Sequence, residues 1–499
     1  MMKKRKYPDL FYNPISMTGA IIASVTFGAI VILMVIDAVW NTLPPYFGIV
    51  TYILFPSILV LGLIVIPVGA LLERKHFKKA SEEGVPPMPK IDFNDPRQRR
   101  VFFIFSTGTL LLMVFTAIGS YRAFDFTESV TFCGQVCHKV MNPEYTTYLH
   151  SPHARVACVQ CHVGPGASWY VKSKLSGAYQ VYSVLFDKYP RPIPTPIRNL
   201  RPARETCEQC HWPQSFVGER RVTKAFYLED SSNTRWNLDM LIRIGKSTSG
   251  ETQQPAVHWH VTHTVEFLPT DSSSQTIPWV RVVNANGKTE TFTTSDNPFT
   301  PDSIKHLQVK TMDCMDCHNR PTHVIKSPGD AVNDALASGS INPSLPWIKQ
   351  TAVNALVPHY TNTKDALDSI ALYVESFYSS KYPTVVATQD SDIKSAVASI
   401  QEIYRENFFP YMRVDWRAYP TDIGHQEYPG CFRCHDGNHK SADGQVIPHS
   451  CETCHVILAQ GEKPEANVSL DGVAFVHPPA GIGDAWKDGS CTDCHDGTQ

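Results

Sequence analysis

Hydrophobic and polar positions alternate along this chain in four distinct ways, and each predicts a different kind of element. Near the N-terminus the apolar runs are unbroken. Residues 17–40 hold one charge, Asp37, while 46–72 and 101–121 hold none. Each run has the ~20 residues that a helix needs to span a bilayer. The first is too long for the apolar region of a signal peptide, lacks a small-residue cleavage site and is followed by two more spans, so it reads as an uncleaved signal anchor.

Between 212 and 313 the pattern shortens to strand-like runs: AFYLED, MLIRIG, VHWHVTHTVEF, PWVRVV and TETFTT, with Asn286-Gly287 as a tight hairpin turn before the last. On a strand, His258 and His260 would share one face. Helical periodicity follows, over 345–357, 364–379 and 392–408, with stripes through Ile370, Leu372, Val374 and Phe377 and through Ile393, Val397, Ile400 and Ile403. From Gly424 onward neither period holds. The expected division is therefore 1–121, three transmembrane helices with a cytoplasmic loop; 122–211; a β-rich insert at 212–313; a short segment at 314–327; a helical segment at 328–423; and a C-terminal segment at 424–499.

Charge gives the membrane segment a direction. The first six residues carry four basic groups and 73–100 carries eight, whereas 41–45 carries none. The N-terminus and the long loop are then cytoplasmic, and everything after Tyr121 lies outside an inner, cytoplasmic membrane as a multi-pass protein's periplasmic part. No span contains a histidine, so none can hold a b-type haem, and the chain should not carry electrons across the bilayer by itself. With 43% hydrophobic and 18% charged residues and a net charge of −2, a disordered chain and a basic nucleic-acid binder are both excluded. Thirty-seven prolines and 28 glycines predict much irregular connection.

The 14 cysteines form seven pairs, each followed at once by histidine: Cys133/Cys137, Cys158/Cys161, Cys207/Cys210, Cys314/Cys317, Cys431/Cys434, Cys451/Cys454 and Cys491/Cys494. CxxCH attaches c-type haem: two thioethers fix the porphyrin and the adjacent histidine is held under the iron. Seven covalent haems are expected, with His138, His162, His211, His318, His435, His455 and His495 as proximal ligands. The first pair has three intervening residues, not two. Twelve histidines remain besides these and His76: His150, His153, His258, His260, His263, His306, His323, His359, His425, His439, His449 and His477. That supply favours irons ligated on both faces, hence electron transfer over substrate reduction at an open face. Three haem sites after Gly424 with little else predict a segment whose core is haem.

The block from Cys133 to Lys188 resembles the NapC/NirT/NrfH family of membrane-anchored quinol dehydrogenases. The matching features are a first haem motif just outside a span, Met141 soon after it, HSPHARVACVQCH, the segment WYVKSKLSG, and later CHNRPTH. The resemblance implies His153 as sixth ligand of the third haem and His323 as sixth ligand of the second. It leaves open whether His138 or Met141 binds the first iron. For the others, His258 or His260 is expected at the fourth haem, and His425, His439 and His477 at the last three. Ordinary members have one anchor helix and four haems. Three spans, an insert and three extra haems are similar instead to heptahaem inner-membrane cytochromes of metal-respiring bacteria.

A quinol loses two protons with its two electrons, so its site needs a titratable acceptor near the membrane surface. Between Ser168 and Lys188 the chain is amphipathic and aromatic, with Trp169, Tyr170, Tyr179, Tyr182 and Phe186 suited to an interfacial helix. The resemblance implies Lys172, Lys174 and Asp187 as candidates for the quinol headgroup; Asp37 is a further acid at the outer end of the first span. The reading is a membrane-anchored multihaem c-type cytochrome that oxidises menaquinol and passes electrons to soluble periplasmic multihaem cytochromes in anaerobic or metal respiration. A feeder subunit for a nitrate or nitrite reductase and a terminal reductase with an open haem are the alternatives.

Overall fold

The computed structural model describes residues 9–40, 50–80, 92–136, 138–197, 201–245, 256–283, 287–479, 482–487 and 489–499. They fall into two units, 1–136 and 137–499.

In the first unit, α1 (Pro14–Trp40), α2 (Phe55–Ala80) and α3 (Pro96–Thr127) carry the three apolar runs. All three are long and apolar enough to cross a membrane. The α-helical part of the second run starts late, after a π turn at Val50–Leu54, because Pro56 has no N–H to give and fits only a first turn. Lipid offers apolar helices no hydrophobic reason to associate, so α1 and α2 meet where small residues let their backbones approach. A Cβ added to Gly19 would lie 2.8 Å from the Gly62 oxygen, and one on Gly62 would lie 2.9 Å from the Ala23 nitrogen. The Ser16 hydroxyl donates across to the Ile66 carbonyl at 2.8 Å. At the start of α3, the Asp95 side chain accepts from the Arg97 N–H at 2.8 Å and Pro96 occupies the first helical position. The Asp37 side chain lies outside the described residues.

The second unit opens with α4 (His138–Leu149) and α5 (Ala167–Leu185) and continues into two antiparallel sheets. β1 (Glu219–Tyr227) and β2 (Arg235–Arg243) form a hairpin. After it come α6 (Trp259–Thr262), β3 (Thr264–Leu268), β4 (Trp279–Val283), β5 (Thr289–Thr293) and β6 (Lys310–Thr311). Asn286 of the expected hairpin turn lies outside the described residues; Gly287, with φ 77°, takes the left-handed conformation that glycine adopts at least cost.

Two findings depart from the sequence expectation. VHWHVTH is not a strand: it makes the single turn α6, and β3 begins only at Thr264. Trp259 stacks on His263 at 4.3 Å, a contact that residues four apart make on a helical turn and cannot make along an extended chain. The C-terminal segment, moreover, does not pack on haem alone. It supplies β7 (Lys440–Ser441) and β8 (His455–Gly461), which complete sheets of order β6-β3-β4-β5-β7 and β1-β2-β8. Ile457, Leu458 and Ala459 are buried there, and the β8 backbone finds in β2 the partners its buried polar groups require.

A helical bundle follows Ser327: α7 (Pro328–Ser338), α8 (Ile348–Leu356), α9 (Thr363–Lys381) and α10 (Pro383–Asn407). Ala366, Ile370, Val374 and Tyr378 form the buried face of α9, while Leu372, expected on that face, is 67% exposed. Spacing by four, not two, keeps residues on one side of a helix. Ser327 and Asn362 cap α7 and α9 with side chains that accept from Asp330 and Asp365 N–H groups.

Inside this bundle the buried Lys349 donates to the Gly329 carbonyl at 2.8 Å and the Gln499 carbonyl at 3.2 Å. Burial lowers its pKa to about 8, against 10.5 ordinarily, despite the opposing pull of Glu229, Asp330 and Glu427. Between those two values the unfolded chain binds the extra proton. Stability should therefore rise by about 3 kcal/mol from pH 8 to 10.5 through this group. Guanidinium unfolding across that range should show the rise in the native protein and a flatter profile in Lys349→Met.

Candidate haem sites

Each described CxxCH motif folds as one tight turn that returns the histidine to its first cysteine. The His211, His318, His435 and His495 N–H groups donate to the Cys207, Cys314, Cys431 and Cys491 carbonyls at 2.8, 2.8, 3.1 and 2.9 Å. The thirteen described cysteines are all free thiols. Cys137 and the His138 side chain lie outside the described residues, and Met141 is half-buried on α4.

The thiols are not equally sheltered. Cys210 of the third motif and Cys494 of the seventh are exposed, while Cys207 and Cys491, the first cysteines of the same turns, are half-buried. This departs from the expectation of segments closed around their haems, which would shelter both thiols of a pair. The difference follows from the turn: Cys207 and Cys491 give their carbonyls to the returning histidines and are held against neighbouring chain, whereas Cys210 and Cys494 stand on its solvent side. A thioether requires only that the sulfur reach a porphyrin edge, so exposure rules out a packing role for these two cysteines and suits an attachment role.

A metal-bound imidazole nitrogen sits about 2.0 Å from the metal and roughly 1.1 Å from its own ring centre, so two rings on opposite faces of one iron stand about 6 Å apart. Six ring pairs have this separation. His153 faces His211 at 6.1 Å, His323 faces His162 at 6.3 Å and His258 faces His318 at 6.4 Å. Likewise His260 faces His435 at 5.8 Å, His425 faces His455 at 6.2 Å and His477 faces His495 at 6.0 Å. Every pair joins one CxxCH histidine to one histidine from elsewhere, which chance aromatic packing would not produce six times over.

The second ring nitrogens support the same arrangement. Nδ1–H of His323, His258, His260 and His477 donates to the Glu144, Ile244, Val257 and Pro478 carbonyls at 2.9, 3.0, 2.9 and 2.8 Å. That of His435 donates to Pro448 at 2.6 Å. An imidazole so held is neutral at Nε2, with a lone pair directed away from the backbone, which is how metal-binding histidines are oriented. The residues present thus fit haem.

His439 departs from the expectation. It faces no CxxCH histidine; it is 1% exposed, with Nδ1 on the Asp436 carboxylate at 2.9 Å and Nε2 on the Ile277 carbonyl at 2.7 Å. Burial alone would lower its pKa, but these two acceptors hold it above the ordinary value. Donating from both nitrogens, it has no lone pair for iron. Its expected place opposite His435 is taken by His260.

Arg433 is a structural residue that sequence reasoning missed. Buried, it donates to the Gly430, Ser274 and Asp316 carbonyls at 2.8, 3.0 and 2.6 Å and pairs with Asp422 at 3.2 Å. It lies inside a haem motif, between Cys431 and Cys434, so nothing in the local pattern set it apart.

The quinol candidates lie on and after α5. Val171, Leu175, Tyr179, Tyr182 and Phe186 expose 54, 69, 66, 41 and 61% of their surface at near-helical spacing, an apolar stripe of the kind that enters a membrane interface. Lys172 Nζ lies 4.5 Å from the Trp169 ring centre, and Lys174 Nζ 4.9 Å from that of Tyr170. Asp187, with φ 50°, pairs with Arg191 at 2.5 Å. Arg191 also donates to the hydroxyls of Tyr189 at 2.8 Å and Tyr411 at 2.9 Å. Its role was visible only as a basic residue four positions from the acid.

Three apolar helices, CxxCH turns and paired histidines define a membrane-anchored multihaem c-type cytochrome. The model of the NapC/NirT cytochrome c family, N-terminal region, matches residues 95–192. Over 496 residues, 99% of this chain and 97% of the relative, the sequence is 42% identical to cytochrome c-type protein ImcH of Geobacter sulfurreducens. Over 114 residues, 22% of this chain and 62% of the relative, it is 33% identical to cytochrome c-type protein NrfH of Wolinella succinogenes. The chain belongs to the NapC/NirT cytochrome c family: it carries covalent c-type haem and transfers electrons. No solved structure matches it.

Proposed function

We propose that this protein is a quinol dehydrogenase, oxidising menaquinol at the outer face of the bacterial inner membrane and delivering electrons to soluble periplasmic multihaem cytochromes, in anaerobic or metal respiration. The observation that carries the reading is the set of six facing histidine pairs. Ligands on both faces of an iron leave no position for a substrate, which favours a wire over a terminal reductase. The sites are those of Cys133 to His138 (first), Cys158 to His162 with His323 (second), Cys207 to His211 with His153 (third), Cys314 to His318 with His258 (fourth), Cys431 to His435 with His260 (fifth), Cys451 to His455 with His425 (sixth) and Cys491 to His495 with His477 (seventh). Bound haem supplies one-electron chemistry at each of them. Lys172, Lys174 and Asp187 hold the quinol headgroup and receive its protons, and the apolar stripe of α5 seats that segment at the lipid surface. Cys133 follows Tyr121 by 12 residues, which suits a first site at the headgroup layer. With no histidine in any span, electrons and protons leave on the same side and turnover moves no charge across the bilayer.

Intact-mass measurement should give seven covalent haems; six would mean that the irregular Cys133/Cys137 site is empty, and five or fewer would sink the count. In liposomes a menaquinol analogue should reduce the protein and an added periplasmic cytochrome should reoxidise it, without building a membrane potential. Reduction by dithionite but not by the quinol would overturn the reading.

A further inference from the structure

The short turn α6 sits between two haem sites. Its first flanking residue, His258, faces His318 of the fourth site, and His260, two residues on, faces His435 of the fifth. Both rings are locked by backbone carbonyls, of Ile244 and Val257, so they are fixed relative to each other as well as to their partners. Arg433, inside the fifth motif, reaches the Asp316 carbonyl inside the fourth at 2.6 Å. The two sites share a ligand-bearing turn and a buried bridge.

The remaining motifs touch in the same orderly way. Cys207 of the third hydrogen-bonds to Cys314 of the fourth, and lies near Cys161 of the second. Cys317 of the fourth neighbours Cys431 of the fifth, which neighbours Cys454 of the sixth. Cys491 of the seventh neighbours Cys451 of the sixth, and its sulfur is 3.9 Å from Nδ1 of His425, the ring that faces His455. Among the described residues, every such contact between motifs joins neighbours in the chain. Because each thiol is an attachment point on a porphyrin edge, adjoining thiols bring adjoining edges together.

Resting on the ligand reading above, we propose that the sites from Cys158 to His495 form one unbranched file in chain order, and that His258-Trp259-His260 is the clip joining its first half to its last three members. The inserted sheet then serves to present that clip. An electron entering near the membrane has no route to the seventh site that avoids the fourth and fifth.

The clip is tested on the full-length holoprotein without turnover. His258→Ala and His260→Ala should each keep every covalent haem and each give one high-spin ferric signal in electron paramagnetic resonance. In the double variant the two irons are neighbours, so the signal should be broadened by their coupling and differ from the sum of the singles. A simple sum overturns the clip, and a low-spin spectrum in either single variant overturns the ligand reading beneath it. The file is tested separately by Cys431→Ala/Cys434→Ala, which lacks the fifth haem. A menaquinol analogue should then reduce four haems at the native rate and the last two at least about tenfold more slowly, whereas Cys491→Ala/Cys494→Ala should leave all six reducing at that rate. Prompt reduction of all six in the first variant overturns the file while leaving the ligands standing. If that variant does not mature, the magnetic coupling of the double histidine variant still decides whether the fourth and fifth sites adjoin.

Discussion

Replacing His425 with alanine is expected to convert one haem from low-spin to high-spin, while replacing His439 should leave every haem low-spin. The two histidines look alike in the sequence, each close to the Cys431 motif, and their surroundings separate them. His425 presents its ring to His455 at 6.2 Å, so removing it opens one face of an iron, and ligand loss on that face raises the spin state. His439 spends both nitrogens on Asp436 and the Ile277 carbonyl. Its loss leaves a carboxylate without its partner and a buried carbonyl unpaired, at a cost of about 1–3 kcal/mol. Optical and paramagnetic spectra of the two purified variants, with guanidinium unfolding of each, check both halves. A high-spin haem in His439→Ala, or none in His425→Ala, would reverse the assignment.

That contrast marks where the sequence stops being legible. The spans, the CxxCH motifs and the α9 and α10 helices were readable because their information is local: run length, cysteine spacing and a period near four. Pairing is not local. His162 meets His323, and His260 meets His435, through folding of intervening sheet and helices that no short window encodes. The resemblance supplied His153 and His323 only because the same spacing stands in the family motif. VHWHVTH illustrates the ambiguity of a short run: alternate histidines fit a strand face, yet the Trp259 and His263 stack closes a helical turn that sends His258 and His260 to different partners. β8 was hidden for another reason. It begins at His455 itself, the last residue of a haem motif, so the pattern that announced haem masked the strand behind it. α7 was missed because PGDAVNDALAS is short and carries few large apolar residues; Val332 and Leu336, both buried, are the largest.

The quinol end admits the other large effect. Lys172→Ala and Asp187→Asn should each slow reduction of the protein by a menaquinol analogue about tenfold or more, a loss of about 1.4 kcal/mol or more in barrier terms, and should leave reoxidation by periplasmic cytochrome unchanged. The argument is positional. Val171, Leu175, Tyr179, Tyr182 and Phe186 make one exposed apolar stripe, so a lipid surface that receives the stripe brings the ends of the segment to headgroup depth. There Lys172 stands over Trp169 and Asp187 is held by Arg191, itself bonded to the Tyr189 and Tyr411 hydroxyls. This group offers donors to a quinol oxygen and an acceptor for its proton, as two-proton oxidation requires. Removing the lysine takes away a cation that would stabilise the deprotonating quinol; converting Asp187 to amide removes the base but keeps a group of similar size beside Arg191. Neither substitution touches a CxxCH histidine or the ring facing it, so dithionite should still reduce every haem. Stopped-flow spectroscopy of both half-reactions in liposomes separates the cases. Unaltered quinol reduction, or slowing confined to reoxidation, would remove Lys172 and Asp187 from the quinol site.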